Sequence, residues 1–334
     1  MVPHWVKGQG GEKSKLGMTA LMWISHSERP LKVNELRHAL GVEIGSPDLD
    51  DDNVPSIGTL ITCCQGLVAV DKEASTVRLI HFTLQEYLRA YPELFGRAHA
   101  TMAETCLCYL NSHRVKALSA SPSHDLEGTP FLEYSSLYWG IHAKKDLSEY
   151  AKQLALGLFD DYSNHISTKI LLREEKPSYF DQASDRLFLF SGLHCACFFG
   201  IVEIVIFLLE AEGCDINQKE CTGNTPLVWA ASNGHERVVE ILLERDGVIS
   251  HENNIHNGGP LLWAALKGHE GVVKILLGWS NINPDAPDTI GRTPLWWDAF
   301  KGHEGVVKTL LGLDNINPDK PDIFGNTALV GDSV

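Results

Sequence analysis

Apolar residues recur in adjacent pairs through the C-terminal half of the chain. Val238/Val239 and Leu242/Leu243 stand one helical turn apart, and the words ERVVEILL, EGVVKILL and EGVVKTLL repeat that spacing from Glu236, Glu270 and Glu304. Pairs so spaced bury one face of a helix. A shorter apolar word precedes each of them: PLVWAAS, PLLWAAL, then PLWWDAF. Its proline suits the first helical position, where a missing N–H costs nothing, and Thr225 and Thr293 stand before it as N-caps. Small residues such as Ala230 and Ala231 let this first helix approach its neighbours. Gly234, Gly268 and Gly302 close it, at a position that favours left-handed backbone. Asp-Ile-Asn or Asn-Ile-Asn-Pro then leads through a polar hairpin to the next glycine. The pattern predicts stacked helix pairs with hairpins projecting to one side.

The step between copies is constant. His235, His269 and His303 are 34 residues apart, Thr225, Gly259, Thr293 and Thr327 keep the same step, and Ser191 extends it one unit back. A fixed period of this size marks a repeat architecture. The recurring His-Glu pair also raises the question of zinc. A zincin pair needs a second histidine one turn later, and Val239, Val273 and Val307 stand there. The pairs therefore read as structure, with each glutamate near the positive end of a helix dipole.

The N-terminal half alternates differently. Leu16–Ser27, RPLKVNELRHAL and NVPSIGTLITCCQG have helical spacing, and LVAVDKEASTVRLIHF predicts two strands around a polar turn. Thr83-Leu-Gln-Glu86 has the form of a capping box opening a further helix to Leu88. Three helices followed by a β-hairpin is the order of a winged helix. The third helix, Val54–Gly66, has no Lys or Arg and follows the acidic run Asp48–Asp52. DNA readers need cations for phosphates and donors for base edges, so this face fits protein better than nucleic acid. SASPSHDLEGTP and REEKPSYFDQAS read as loops around two amphipathic helices, FLEYSSLYWGIHAKK and LSEYAKQLALGLFDDY. His142 with Tyr134, Tyr138 and Trp139 presents either a ligand pocket or a helical core, and the ordinary periodicity favours the core.

Composition narrows the function classes. The 334 residues carry a net charge of −15, which repels phosphate backbones and anionic membranes. The first residues lack a secretory core, and no apolar stretch is long enough to span a bilayer. Cys63, Cys64, Cys106, Cys108, Cys195, Cys197, Cys214 and Cys221 therefore read as reduced, mostly buried thiols of a cytoplasmic protein. GQGGEKS, Gly8–Ser14, imitates a phosphate-binding loop, but Glu12 stands where that loop needs glycine. The residues offer no cofactor site, metal site or catalytic constellation.

The T-P-L, G-H and V-V…L-L words resemble ankyrin repeats, four in register and a fifth truncated. His194, in Ser191-Gly-Leu-His-Cys-Ala, holds the family's T-P-L-H position, while Val228, Leu262 and Trp296 depart from it. That family mediates protein–protein contacts and shares no catalytic activity. LMWISHSERPLKVNELRHALGV, DNVPSIGTLITCCQGLVAVD and STVRLIHFTLQEYL, continuing through AETCLCYL, resemble the winged-helix segment after the NTPase of fungal NACHT–ankyrin receptors of the STAND class. Domains of this type are sometimes labelled after a GPI inositol-deacylase, but no G-x-S-x-G elbow is present to support an esterase.

The resemblance implies a mainly α fold: a flexible tail over 1–15, a winged-helix-like domain with a small β-hairpin over 16–112, a helical connector over 113–185, and an ankyrin solenoid over 186–334. It implies a non-enzymatic sensing or regulatory module with protein partners, no nucleic acid and no membrane, working with an NTPase domain absent from this chain. The chain ends shortly after Thr327 and so reads as a fragment of a longer receptor. A nucleic-acid-binding regulator and a hydrolase-associated scaffold are the disfavoured alternatives. Two sets of residues are candidate binding or structural features. The two residues before each unit's turn glycine or its equivalent are Cys221/Thr222, Ile255/His256, Thr289/Ile290 and Ile323/Phe324, where exposed apolar tips suggest a contact surface. The second set, Trp229, Trp263 and Trp297, repeats on the first helices, with Cys195 in the first unit. The flanking alanines favour a mainly buried packing column over a ladder of interface anchors.

Overall fold

The computed structural model describes residues 11–119, 128–175, 189–250, 258–279 and 281–328. The chain divides into two compact units, Met1–Ser184 and Asp185–Val334.

The first unit opens with α1 (Glu12–His26) and α2 (Val33–Gly41), followed by α3 (Ile57–Cys63). The helix thus begins at Glu12, inside the stretch expected to be a flexible tail, and takes in the last residues of the phosphate-loop lookalike. Two antiparallel strands follow, β1 (Val68–Asp71) and β2 (Thr76–Leu79), with Val68 opposite Leu79 and Val70 opposite Val77. Asp71 closes their turn by accepting the N–H groups of Glu73 and Ala74 at 3.1 and 3.2 Å. The backbone ahead of α2 adds to β2 on its free side, with Val77 N–H donating to Leu31 O and Val33 N–H to Ser75 O, both at 2.9 Å. Sequence patterning misses this third partner because only Lys32 makes the bridge.

Next comes α4 (Phe82–Ala90), whose start corrects one expectation. His81, not Thr83, is the N-cap: its ring nitrogen accepts the Thr83 N–H, and Thr83 lies within the helix. Then follow α5 (Ala98–Asn111), α6 (His113–Ser119), α7 (Leu132–Lys145), α8 (Glu149–Phe159) and α9 (Ile166–Glu175). The expected pair of amphipathic helices is α7 and α8. REEKPSYFDQAS, expected as a loop, is helical up to Glu175, and the rest of it lies outside the described residues.

Aromatic rings bind this unit together. Trp23 of α1 meets Phe131 edge-on at 5.5 Å between centroids, and Tyr109 of α5 meets the same ring at 5.2 Å. All three are fully buried or nearly so. Edge-to-face pairs of this kind add about 1 kcal/mol each beyond their burial. Arg29 anchors the turn between α1 and α2: its guanidinium holds buried Glu35 at 2.7 and 2.8 Å while stacking over Tyr134.

The second unit is a run of helix pairs: α10 (Gly192–Phe199) with α11 (Val202–Glu210), α12 (Pro226–Ser232) with α13 (Glu236–Leu243), α14 (Pro260–Leu266) with α15 (Glu270–Leu277), and α16 (Pro294–Lys301) with α17 (Glu304–Leu311). Each first helix packs on the first helix of the next pair, and second helices do the same. Thr225 and Thr293 cap their helices as expected, accepting the N–H groups of Val228 and Trp296. Val238, Val239, Val272 and Val273 are buried to within 1 % of full enclosure.

Candidate functional site

The Gly-His words form the joints between pairs. The Nε2–H of His235 donates to Phe198 O at 2.8 Å, that of His269 to Ser232 O at 3.1 Å, and that of His303 to Leu266 O at 3.3 Å. Each acceptor is a carbonyl near the end of the previous unit's first helix, one of the groups that a helix C-terminus leaves unsatisfied. The preceding unit's glycine makes room for the ring. Gly200, Gly234 and Gly268 have φ between +71° and +74°, and a methyl group on Gly268 would lie 2.7 Å from His303 Nδ1. Gly302 has the same backbone, φ +76°, but a methyl there meets open space. Gly268→Ala should therefore cost about 2–3 kcal/mol of array stability, against about 1 kcal/mol for Gly302→Ala, which carries left-handed strain alone. Urea unfolding of the two variants checks the difference.

The turn tips are fixed by acidic residues that the sequence reading passed over. Asp288 accepts the N–H groups of Ile290 and Arg292 at 3.0 and 2.8 Å, and Asp322 those of Phe324 and Asn326, both at 2.9 Å. Glu220 does the same for Thr222 at 2.7 Å and Asn224 at 3.3 Å. The 34-residue step linking Asp288 to Asp322 was the available signal.

The tip residues do not all face solvent. Thr222 is buried, its hydroxyl held by Glu220 and by Asn224, which corrects its expected exposure. Cys221 and Ile290 are half-buried and Thr289 is exposed. Ile323 and Phe324 stand out at 65 % and 69 % exposure, on a turn tied to its neighbour by Ile323 N–H donating to Ile290 O at 2.9 Å. Ile255 and His256 lie outside the described residues.

The three column tryptophans occupy different surroundings. Trp229 is buried between Phe190 and Phe198, each edge-on at 5.5 and 5.6 Å, and Cys195 is fully enclosed. Trp263 is half-buried, its indole nitrogen so close over Gly258 that a methyl there would lie 2.7 Å away. Trp297 is half-buried and donates to Asp288 at 3.0 Å, while Trp296 beside it is the deeper indole, with Arg292 stacked over its ring at 4.2 Å. His194 keeps the bond that later units lack: its Nδ1 lies 2.8 Å from Ser191 Oγ, and its Nε2–H donates to Asn224 O at 3.2 Å.

In the first unit, the outward face of α3 is Gly58, Thr59, Ile61 and Thr62, without a cation. Tyr134 and Trp139 are core residues, in keeping with the packing expectation. His142 is also enclosed, yet it backs onto a cavity of about 550 Å³ lined by His26, Glu28, His99, Lys145 and Asp146, among others. His142 Nδ1 lies 2.9 Å from His99 Nδ1 and 3.8 Å from a Glu28 oxygen, and its Nε2 lies 3.0 Å from the Tyr134 hydroxyl. Burial lowers the pKa of both imidazoles, and nearby Lys145 lowers them further, so both stay neutral at physiological pH. No sequence spacing announces this group, because its members come from α5, α7 and the α1–α2 turn.

No disulfide joins any of the eight cysteines, and six of them are buried. No described helix is long and apolar enough to cross a membrane.

Comparison with known families gives the same two-part reading. The family model "GPI inositol-deacylase, winged helix domain" matches residues 7–94, and "Ankyrin repeats (3 copies)" matches residues 162–254 and 248–322. A search of curated proteins found no match. The protein is thus mainly helical, with a GPI-inositol-deacylase-type winged helix domain followed by ankyrin repeats.

Proposed function

We propose that this chain is a non-enzymatic interaction module whose ankyrin turn tips bind a protein partner, and that it serves as the sensing or regulatory part of a STAND-type signalling receptor in the cytoplasm. The observation that carries the reading is the pair Ile323 and Phe324: Asp322 already fixes the turn, and both side chains are largely exposed. Ankyrin repeats are an interaction fold, and fold alone assigns no activity. The cation-free face of α3 supports a protein contact for the winged helix, with an NTPase domain of the receptor as its counterpart, over a nucleic-acid contact.

The test is comparative. Proteins retained by the immobilised full chain are quantified beside those retained by the Ile323→Ser/Phe324→Ser double variant. Loss of an aromatic anchor from an interface typically costs 2 kcal/mol or more, about thirtyfold in affinity. Retention of the specific partner should fall by that order while the thermal midpoint stays unchanged. Equal retention by both proteins would remove these tips from the binding surface.

A further inference from the structure

The cluster behind the first unit's cavity has the donors of a metal centre. Among the described residues, Glu28, His99 and His142 bring one ligand atom each to within 4.8 Å of one another. Two ligand atoms held 2.0–2.2 Å from a tetrahedral zinc lie roughly 3.3–3.6 Å apart. The observed separations bracket that value: 2.9 Å between the two imidazole nitrogens and 3.8 Å from His142 to Glu28. Side-chain rotation of Glu28 and His99, neither of them fully buried, closes the triangle on an ion.

We propose that Glu28 Oε, His99 Nδ1 and His142 Nδ1 form a binding site for a borderline divalent transition metal, with Zn²⁺ the best fit. Two imidazoles and a carboxylate are donors that suit this ion. They leave a fourth position, which faces the cavity and takes water. The Tyr134 hydroxyl orients the set from behind. It lies 3.0 Å from His142 Nε2 and accepts the Glu28 N–H at 3.2 Å, so one group touches two of the three ligands. Outer partners of this kind fix the tautomer that presents the other nitrogen to the metal. With His142 protonated on Nε2 and donating to Tyr134, its Nδ1 lone pair is free for the ion, while His99, which donates its Nδ1 proton to His142 without metal, carries that proton on Nε2 when it ligates. Each imidazole keeps one proton throughout, and none need be lost.

One neighbour opposes the metal. The Lys145 ammonium holds Glu28 at 2.6 Å and competes for the same carboxylate. That competition separates a metal site from a simple hydrogen-bonded network, because removing the lysine weakens a network and strengthens a site.

The experiment uses the full chain, stripped with a chelator and desalted. Zn²⁺ binding is read by calorimetry, and Co²⁺ binding by its visible absorption. Wild type should take up one equivalent at micromolar metal, and Co²⁺ should show the intense bands of four- or five-coordination. His99→Gln and Glu28→Gln should each lower affinity by about tenfold or more, Lys145→Met should raise it severalfold, and His269→Gln in the array should change nothing. Circular dichroism confirms that each variant is folded. Absence of saturable one-to-one uptake by wild type overturns the proposal. So does an affinity that is the same in wild type, His99→Gln and Glu28→Gln, which would place the metal elsewhere.

Discussion

Val273→Asp should unfold more than its own helix pair. Val273 is fully enclosed on α15, which packs against α13 on one side and α17 on the other. The substitution removes buried methyl groups and places a carboxylate in a fully enclosed position. Burying an unpaired polar group and losing the packing together cost on the order of 5 kcal/mol. In a stacked array each unit contacts only its neighbours, so the loss spreads through both faces of the damaged unit. Limited proteolysis with mass mapping is the appropriate measurement. The expected cleavage pattern covers α12 to α17 at once, and cuts confined to α14 and α15 would mean that the units fold independently.

The second large effect belongs to the tryptophan column. Trp229→Ala should cost about 3–5 kcal/mol, because the indole is 3 % exposed and wedged between two phenylalanines. Trp263→Ala should cost less than half of that, its ring being partly in solvent. Chemical denaturation of the two variants ranks them. Equal losses would show that the half-buried position is as load-sensitive as the enclosed one, and that partial exposure is no guide within this array.

The difference between these tryptophans also marks what a sequence can disclose here. All three stand at the same repeat position, and the period fixes that position but not its depth. Depth depends on what packs against each ring: Phe190 and Phe198 from the preceding unit beside Trp229, and the bare backbone of Gly258, in its own unit, beside Trp263. The repeat itself was fully legible, because a 34-residue step in the helix starts, caps and glycines leaves few alternatives. The winged-helix order was legible for the same kind of reason, each element having its own periodicity. The short pairing of Lys32 with β2 was not, since a single bridge has no period. Nor was the cap by His81, because the Thr-x-x-Glu word next to it has the stronger sequence form. The Glu28–His99–His142 group was hidden for a third reason. Its members are far apart in the chain, and only the aromatic packing of Trp23, Phe131 and Tyr134 brings them together.

The joints between helix pairs are not symmetric. The second, third and fourth units each carry a socket, a glycine with a helix-end carbonyl, on the outgoing side and one imidazole plug on the incoming side, whereas the first unit has the glycine, Gly200, but Ile201 where a plug would stand. A block of 34 residues taken from the second to fourth units carries one such glycine and one such imidazole. Duplicating or deleting such a block leaves every remaining plug opposite a socket, so this joint by itself sets no bar to a change of length in whole units. The joint therefore acts as a reading frame for the protein's own growth, enforced by packing rather than by the code.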